Sequence, residues 1–191
     1  MNICIFGSSS VNLDDKYYKT AYDFGKYLSS LGHGIVFGGG NEGVMGEVAR
    51  GVKKNNGYIL GIAPKFFDKP GILFPDCDKF IFTNTMRERK QYMEDNSDAF
   101  IALPGGMGTY EELIEVLTLK QLGKLSKPIG IYNVYGYFDT FLKLVDEMVD
   151  KGFMKKEALK IIKAFDEPKN LIEQIEYELK NPMDIKGLKN I

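Results

Sequence analysis

Short, almost unbroken apolar runs alternate with amphipathic stretches along the chain, and this alternation constrains the fold more than any other feature. Ala99-Phe100-Ile101-Ala102-Leu103 contains no polar residue, so a strand made from it must be covered on both faces. Strands of that kind belong to parallel sheets whose crossover connections are helices. The runs predict strands at residues 2–6, 34–37, 58–63, 79–82, 99–103, 128–132 and 161–164. The intervening stretches predict helices at 14–31, 43–55, 86–96, 109–122, 137–151 and 168–180. In the first helix Tyr17, Ala21, Phe24, Leu28 and Leu31 recur at steps of three and four, an apolar stripe that faces a core. The expected fold class is therefore α/β: a doubly wound, mostly parallel sheet with helices on both faces.

A chain of 191 residues is sized for one domain, expected at 1–181, with a tail at 182–191 that is poorly ordered or lies on a partner. The 25 basic residues nearly cancel the 26 acidic ones, which argues against nucleic acid or a membrane surface as a partner. No apolar stretch approaches the roughly 20 residues needed to span a bilayer. The N-terminal run reaches Gly7 after six residues, too soon for a signal peptide. Cys4 and Cys77 are too few for a disulfide framework. Together these features predict a cytoplasmic protein.

In doubly wound sheets ligands bind beyond the carboxyl ends of the strands. Three glycine-bearing segments fall there: Gly7-Ser8-Ser9-Ser10, Gly38-Gly39-Gly40 and Pro104-Gly105-Gly106-Met107-Gly108. Gly38 to Gly43 fits the GxGxxG spacing of a dinucleotide loop. It follows the second strand, however, and the next strand ends without the acidic residue that would hold a ribose. The Pro104–Thr109 segment is more informative, because bare amides at a helix start cradle a phosphate or phosphoribosyl group.

Two side chains stand out beside these loops. Thr109-Tyr110-Glu111-Glu112 reads as a capping box, yet on a helical projection Glu112 lies at the inner edge of the Leu113/Val116/Leu117 stripe and Glu111 faces outward. Capping and catalysis both account for Glu112 at this level. Arg89 shares a stripe with Met86 and Met93. A guanidinium there needs a carboxylate or a phosphate, unless it snorkels to solvent or forms a purely structural ion pair. His33, between Gly32 and Gly34, reads as a turn residue without a companion. Cys4, Cys77 and His33 lack metal-ligand spacing, and no serine has an elbow motif. Neither a metal nor a cofactor is expected.

Pro104-Gly105-Gly106-Met107-Gly108-Thr109-Tyr110-Glu111-Glu112 resembles the PGGxGTxxE motif of the LOG (Lonely Guy) family, whose members have also carried the label lysine decarboxylase. Met86-Arg87-Glu88-Arg89-Lys90 resembles its MxxRK element, Gly38 to Gly46 its GGGxxGLMG segment, and Phe6-Gly7-Ser8-Ser9 its opening turn. The resemblance runs in order over about residues 1–180 and implies a Rossmann-like fold. It implies hydrolysis of the N-glycosidic bond of a cytokinin or adenosine nucleoside 5′-monophosphate, giving free base and ribose 5-phosphate. Under it Arg89 and Glu112 are catalytic, and Gly105, Gly106, Gly108 and Thr109 hold the 5′-phosphate. Ser8, Ser9, Gly40, Met86 and Lys90 complete the substrate site, and the protein is a homodimer. The chain departs from the family at Thr85-Met86-Arg87, where Asp-Met-His is usual, and at Phe6, where Cys is usual. Related Rossmann-like proteins carry a nucleotide or a molybdenum cofactor without hydrolysis, which is the alternative reading.

Overall fold

The computed structural model describes residues 1–184 and 188. Among these residues seven strands form one sheet: β1 (Asn2–Phe6), β2 (Gly34–Phe37), β3 (Ile59–Pro64), β4 (Lys79–Thr83), β5 (Ala99–Ala102), β6 (Ile129–Tyr132) and β7 (Ala164–Phe165). Their order is β4-β3-β2-β1-β5-β6-β7, and each neighbouring pair runs parallel. The chain order reverses between β1 and β5, so the crevice of a doubly wound fold opens above these two strands.

Alternation along the strands divides the interior into two cores. On β1, Ile3 and Ile5 enter one apolar cluster while Cys4 and Phe6 enter the other. On β5, Ala99 and Ile101 follow the first pair and Phe100 and Ala102 the second, as the two-residue period of a strand requires. The first cluster is closed by α1 (Asp15–Ser30), α2 (Gly43–Lys54) and α6 (Pro168–Lys180). The second is closed by α3 (Met86–Asp95), α4 (Met107–Gln121) and α5 (Asp139–Asp150).

Local chemistry sets several boundaries. Asp14 caps α1, its Oδ1 accepting from Lys16 N at 3.1 Å. Gly25 and Gly51 bring α1 and α2 into backbone contact, since a β-carbon on Gly25 would stand 2.2 Å from the Val48 carbonyl oxygen. The seventh strand differs from expectation. Lys156–Ile161 is a 3-10 turn and the strand begins only at Ala164. Ile161 is apolar because it packs into the second core from that turn, and not because it pairs in the sheet. The tail expected at 182–191 falls mostly on 185–187 and 189–191, outside the described residues. Among the described residues, no helix is long and apolar enough to cross a membrane.

Candidate active site

Three loops meet above the switch point and are sewn together by their backbones. Ser8 N donates to Pro104 O at 3.1 Å, joining the turn after β1 to the loop after β5. Met45 N donates to Ser8 O at 3.1 Å, joining the same turn to the first turn of α2. Gly43 makes that approach feasible: its φ is +69°, and a β-carbon on it would lie 2.4 Å from Ser8 O. The result is a cleft of about 850 Å³ along the carboxyl ends of β5, β1, β2 and β3.

One end of the cleft is the start of α4. Gly106 is the N-cap, and it contributes no side-chain bond. Gly106 and Gly108 line the cleft and have open space where a β-carbon would be, so the N-terminus of α4 opens on the cleft, a position that favours anions. The helix begins three residues earlier than the capping-box reading of Thr109 and Glu112 requires, with Gly106 and not Thr109 as its cap. Thr109 is already helical, its N donating to Gly106 O at 3.0 Å, and Glu112 lies in the second turn. The same Thr-x-x-Glu pattern is used as a cap elsewhere. Thr85 Oγ1 accepts from Glu88 N at 3.1 Å at the start of α3, and Glu88 Oε2 accepts from Asn84 N at 2.8 Å. This gives Thr85, where the chain departs from the family pattern, a local structural purpose.

Glu112 is instead held by Arg89. Both residues are buried, 8% and 7% exposed, and Arg89 Nη1 donates to Glu112 Oε1 at 2.6 Å. Arg89 Nε donates to the Ile62 carbonyl at 3.3 Å, which anchors the guanidinium to the end of β3. Gly38 leaves the guanidinium its space, because a β-carbon there would be 2.1 Å from Nη2. Burial pushes the Glu112 carboxyl above the usual glutamate range, and the Arg89 charge and hydrogen bond oppose that rise. Burial also raises both thiols, Cys77 to about 12 and the wholly buried Cys4 as well, so neither offers a thiolate near neutral pH.

The far end of the cleft is apolar and comes from the β3–β4 connection. Gly40 and Leu73 form an antiparallel bridge, with Asn41 N donating to Ile72 O at 2.9 Å and Phe74 N to Gly39 O at 2.8 Å. The connection thus folds back onto the glycine loop of β2, presenting Phe66, Phe67 and Ile72 to the cleft opposite α4. Sequence reasoning assigned nothing to this segment. The adjacent Phe66 and Phe67, outside any predicted element, were the available signal.

A family model described as "Possible lysine decarboxylase" matches residues 45–175. The chain is 38% identical over 174 residues to cytokinin riboside 5′-monophosphate phosphoribohydrolase LOG2 of Arabidopsis thaliana, covering 91% of this chain and 82% of that protein. Against LOG3 of the same plant the identity is again 38% over 174 residues, with 91% and 81% covered. The chain belongs to the LOG family. Its fold is also that of the molybdenum cofactor binding protein of Rippkaea orientalis, at a TM-score of 0.69 and 23% identity over 92% of this chain and 95% of that one. The molybdenum cofactor carrier protein of Chlamydomonas reinhardtii gives a TM-score of 0.70 at 20% identity over 94% and 98%. At such identities the likeness is one of fold.

Of the residues that LOG-family resemblance singles out, Ser8, Ser9, Gly40, Met86, Arg89, Gly106, Gly108, Thr109 and Glu112 line the cleft. Gly105 does not line it and instead packs against Thr109 and Tyr137. A β-carbon there would meet Thr109 Oγ1 at 2.0 Å, and its carbonyl accepts from Tyr137 Oη at 2.6 Å. Lys90 turns away from the cleft and pairs with Glu111 and Glu115 on α4. His33 has a companion after all: it is buried, with Nε2 3.1 Å from Glu176 Oε1 on α6.

Proposed function

We propose that this LOG-family chain hydrolyses the N-glycosidic bond of purine nucleoside 5′-monophosphates, those of cytokinin ribosides and AMP, to free base and ribose 5-phosphate. One observation carries the reading: a buried carboxylate, Glu112, is fixed by Arg89 beside an amide cradle suited to phosphate. The 5′-phosphate sits on the amides of Gly106 and Gly108 with the Thr109 hydroxyl, and Gly105 shapes the loop beneath. Ser8 and Ser9 flank the ribose. The base extends past Gly40 and Met86 toward Phe66, Phe67 and Ile72. From β5 to β3 the cleft crosses three strand spacings, about 14 Å at roughly 4.8 Å each, enough length for a nucleotide lying across the strand ends.

The glycosidic bond breaks with its electron pair leaving on the base nitrogen, and positive charge builds at C1′ and the ring oxygen. The Glu112 carboxylate stabilises that charge and orients the water whose oxygen bonds to C1′, while one water proton ends on the base. Arg89 holds Glu112 in place and favours its ionised form against the effect of burial. The name phosphoribohydrolase on relatives at 38% identity supports this chemistry. The carrier alternative rests on fold likeness alone.

The same reading makes residues 1–181 one nucleotide-binding domain of a cytoplasmic homodimer. Two free cysteines fit a reducing compartment. Half-exposed Ile114 and Leu144 border an apolar groove of about 430 Å³ between α4 and α5, a surface suited to a second copy. The deciding experiment incubates the protein with AMP and with N6-isopentenyl AMP and assays free base and ribose 5-phosphate. Release that is abolished in a folded Glu112→Gln variant supports the reading, and no release from either nucleotide overturns it.

A further inference from the structure

Consecutive residues of α3 pair with consecutive residues of α4 in reversed order. Arg89 meets Glu112 inside the cleft, and Lys90 meets Glu111 on the outside. Lys90 Nζ also lies 2.8 Å from Glu115 Oε2, so one ammonium joins two carboxylates a helical turn apart on α4. Its side chain is only 15% exposed, while Glu111 is 56% and Glu115 36% exposed, so the ammonium is held from solvent between carboxylates that reach it from the surface of α4. Phe6, Met93 and Val116 pack beside Lys90, Glu94, Glu112 and Glu115 where the two helices meet, leaving only about 10 Å³ unfilled, so the polar links lie in the same packed seam as the apolar side chains.

We propose that Lys90 is a positioning residue: by clasping Glu111 and Glu115 it fixes α4 against α3 and so holds Glu112 in register with Arg89 and the cleft. The inference rests on the phosphoribohydrolase reading for its kinetic consequence, though not for its structural one. Glu112 is faced by Arg89, Lys90 and Glu94 from α3, by Glu111 and Glu115 on its own helix, and by the neutral thiol of Cys4 from β1. Removing the Lys90 charge leaves Glu111 and Glu115 without their shared counterion. Their repulsion then acts on Glu112 and loosens α4 from α3 at its second turn, beyond the amides that begin the helix.

Lys90→Met keeps the aliphatic stem and removes the charge. The expected result is a fall in kcat of about tenfold, as misplacement of a reacting group by a fraction of an ångström produces. KM should change little, because the amide cradle is untouched, and the acidic limb of the kcat–pH profile should move to higher pH. Lys90→Arg should restore both kcat and the limb. An unchanged kcat and limb in Lys90→Met, even with a lowered Tm, would reduce Lys90 to a structural ion pair and overturn the inference. A carbon-13 NMR titration of the Glu112 carboxyl, assigned by difference against Glu112→Gln, decides the matter without turnover. If the wild type releases no base, the functional reading fails. The clasp still stands if Lys90→Met raises the Glu112 midpoint, and it fails if the midpoint is unmoved.

Discussion

The Arg89 guanidinium occupies the space that a side chain on Gly38 would fill, with Nη2 2.1 Å from where that β-carbon would be. Gly38→Ala should therefore displace the guanidinium from Glu112 without touching either residue. Crowding of this kind costs about 1–3 kcal/mol, and an ångström of misplacement costs up to about a hundredfold in rate. Base release should fall by roughly that factor while the protein stays folded, which kcat and a thermal melt together test. Wild-type turnover in Gly38→Ala would mean that the pair tolerates displacement.

Removing either member of the Arg89–Glu112 pair leaves a buried charge without its partner. Arg89→Met should lower stability by about 3 kcal/mol. In Glu112→Gln the guanidinium keeps the Ile62 carbonyl, so the loss should be smaller. Both variants should lose base release almost completely, and the double variant should lose no more than either alone, since the two act as a unit. Denaturant melts and single-turnover assays on the three variants supply the comparison.

The pH profile follows from the surroundings of Glu112. Burial favours the neutral carboxyl, and Arg89 only partly reverses this, so the group titrates above the ordinary 4.5. The proposed mechanism needs the carboxylate. Activity should thus be present at neutral pH and lost as pH falls, with a midpoint above 4.5. A kcat–pH profile with its acidic midpoint at or below that value would mean that Glu112 is not the titrating group.

The apolar groove between α4 and α5 predicts the oligomeric state. Ile114→Lys with Leu144→Lys places charge where a second copy would seat, and it should turn a dimer into a monomer in light scattering. Because Ile114 lies two residues from Glu112 on the same helix, turnover should fall with the dimer. A wild-type protein that is already monomeric would dispose of this assignment.

Much of this molecule can be read from residue order, for identifiable physical reasons. The apolar runs 2–6 and 99–103 announce strands because both faces of the sheet are covered. Arg89 could be placed on an inner stripe because helical periodicity puts it with Met93. What escaped depends on tertiary neighbours. The start of α4 at Met107 is set by Gly106 as cap, while local pattern favoured Thr109. Lys90 was assigned to substrate by its place beside Arg89 in a motif, yet adjacent residues on a helix point about 100° apart, and Lys90 points at Glu111. His33 finds Glu176 across 143 residues of chain, a separation that no local pattern encodes. The apolar wall of Phe66, Phe67 and Ile72 arises from a fold-back bridge at Gly40 and Leu73.

The cradle at the start of α4 has a consequence for mutational mapping. On the proposed reading its donors are main-chain amides of residues without side chains together with the Thr109 hydroxyl, so truncation to alanine removes only that hydroxyl. An alanine scan would register Arg89 and Glu112 strongly and the phosphate site through Thr109 alone. The amides themselves would register only in substitutions that add bulk, such as Gly106→Val or Gly108→Val, because these fill space that is now open.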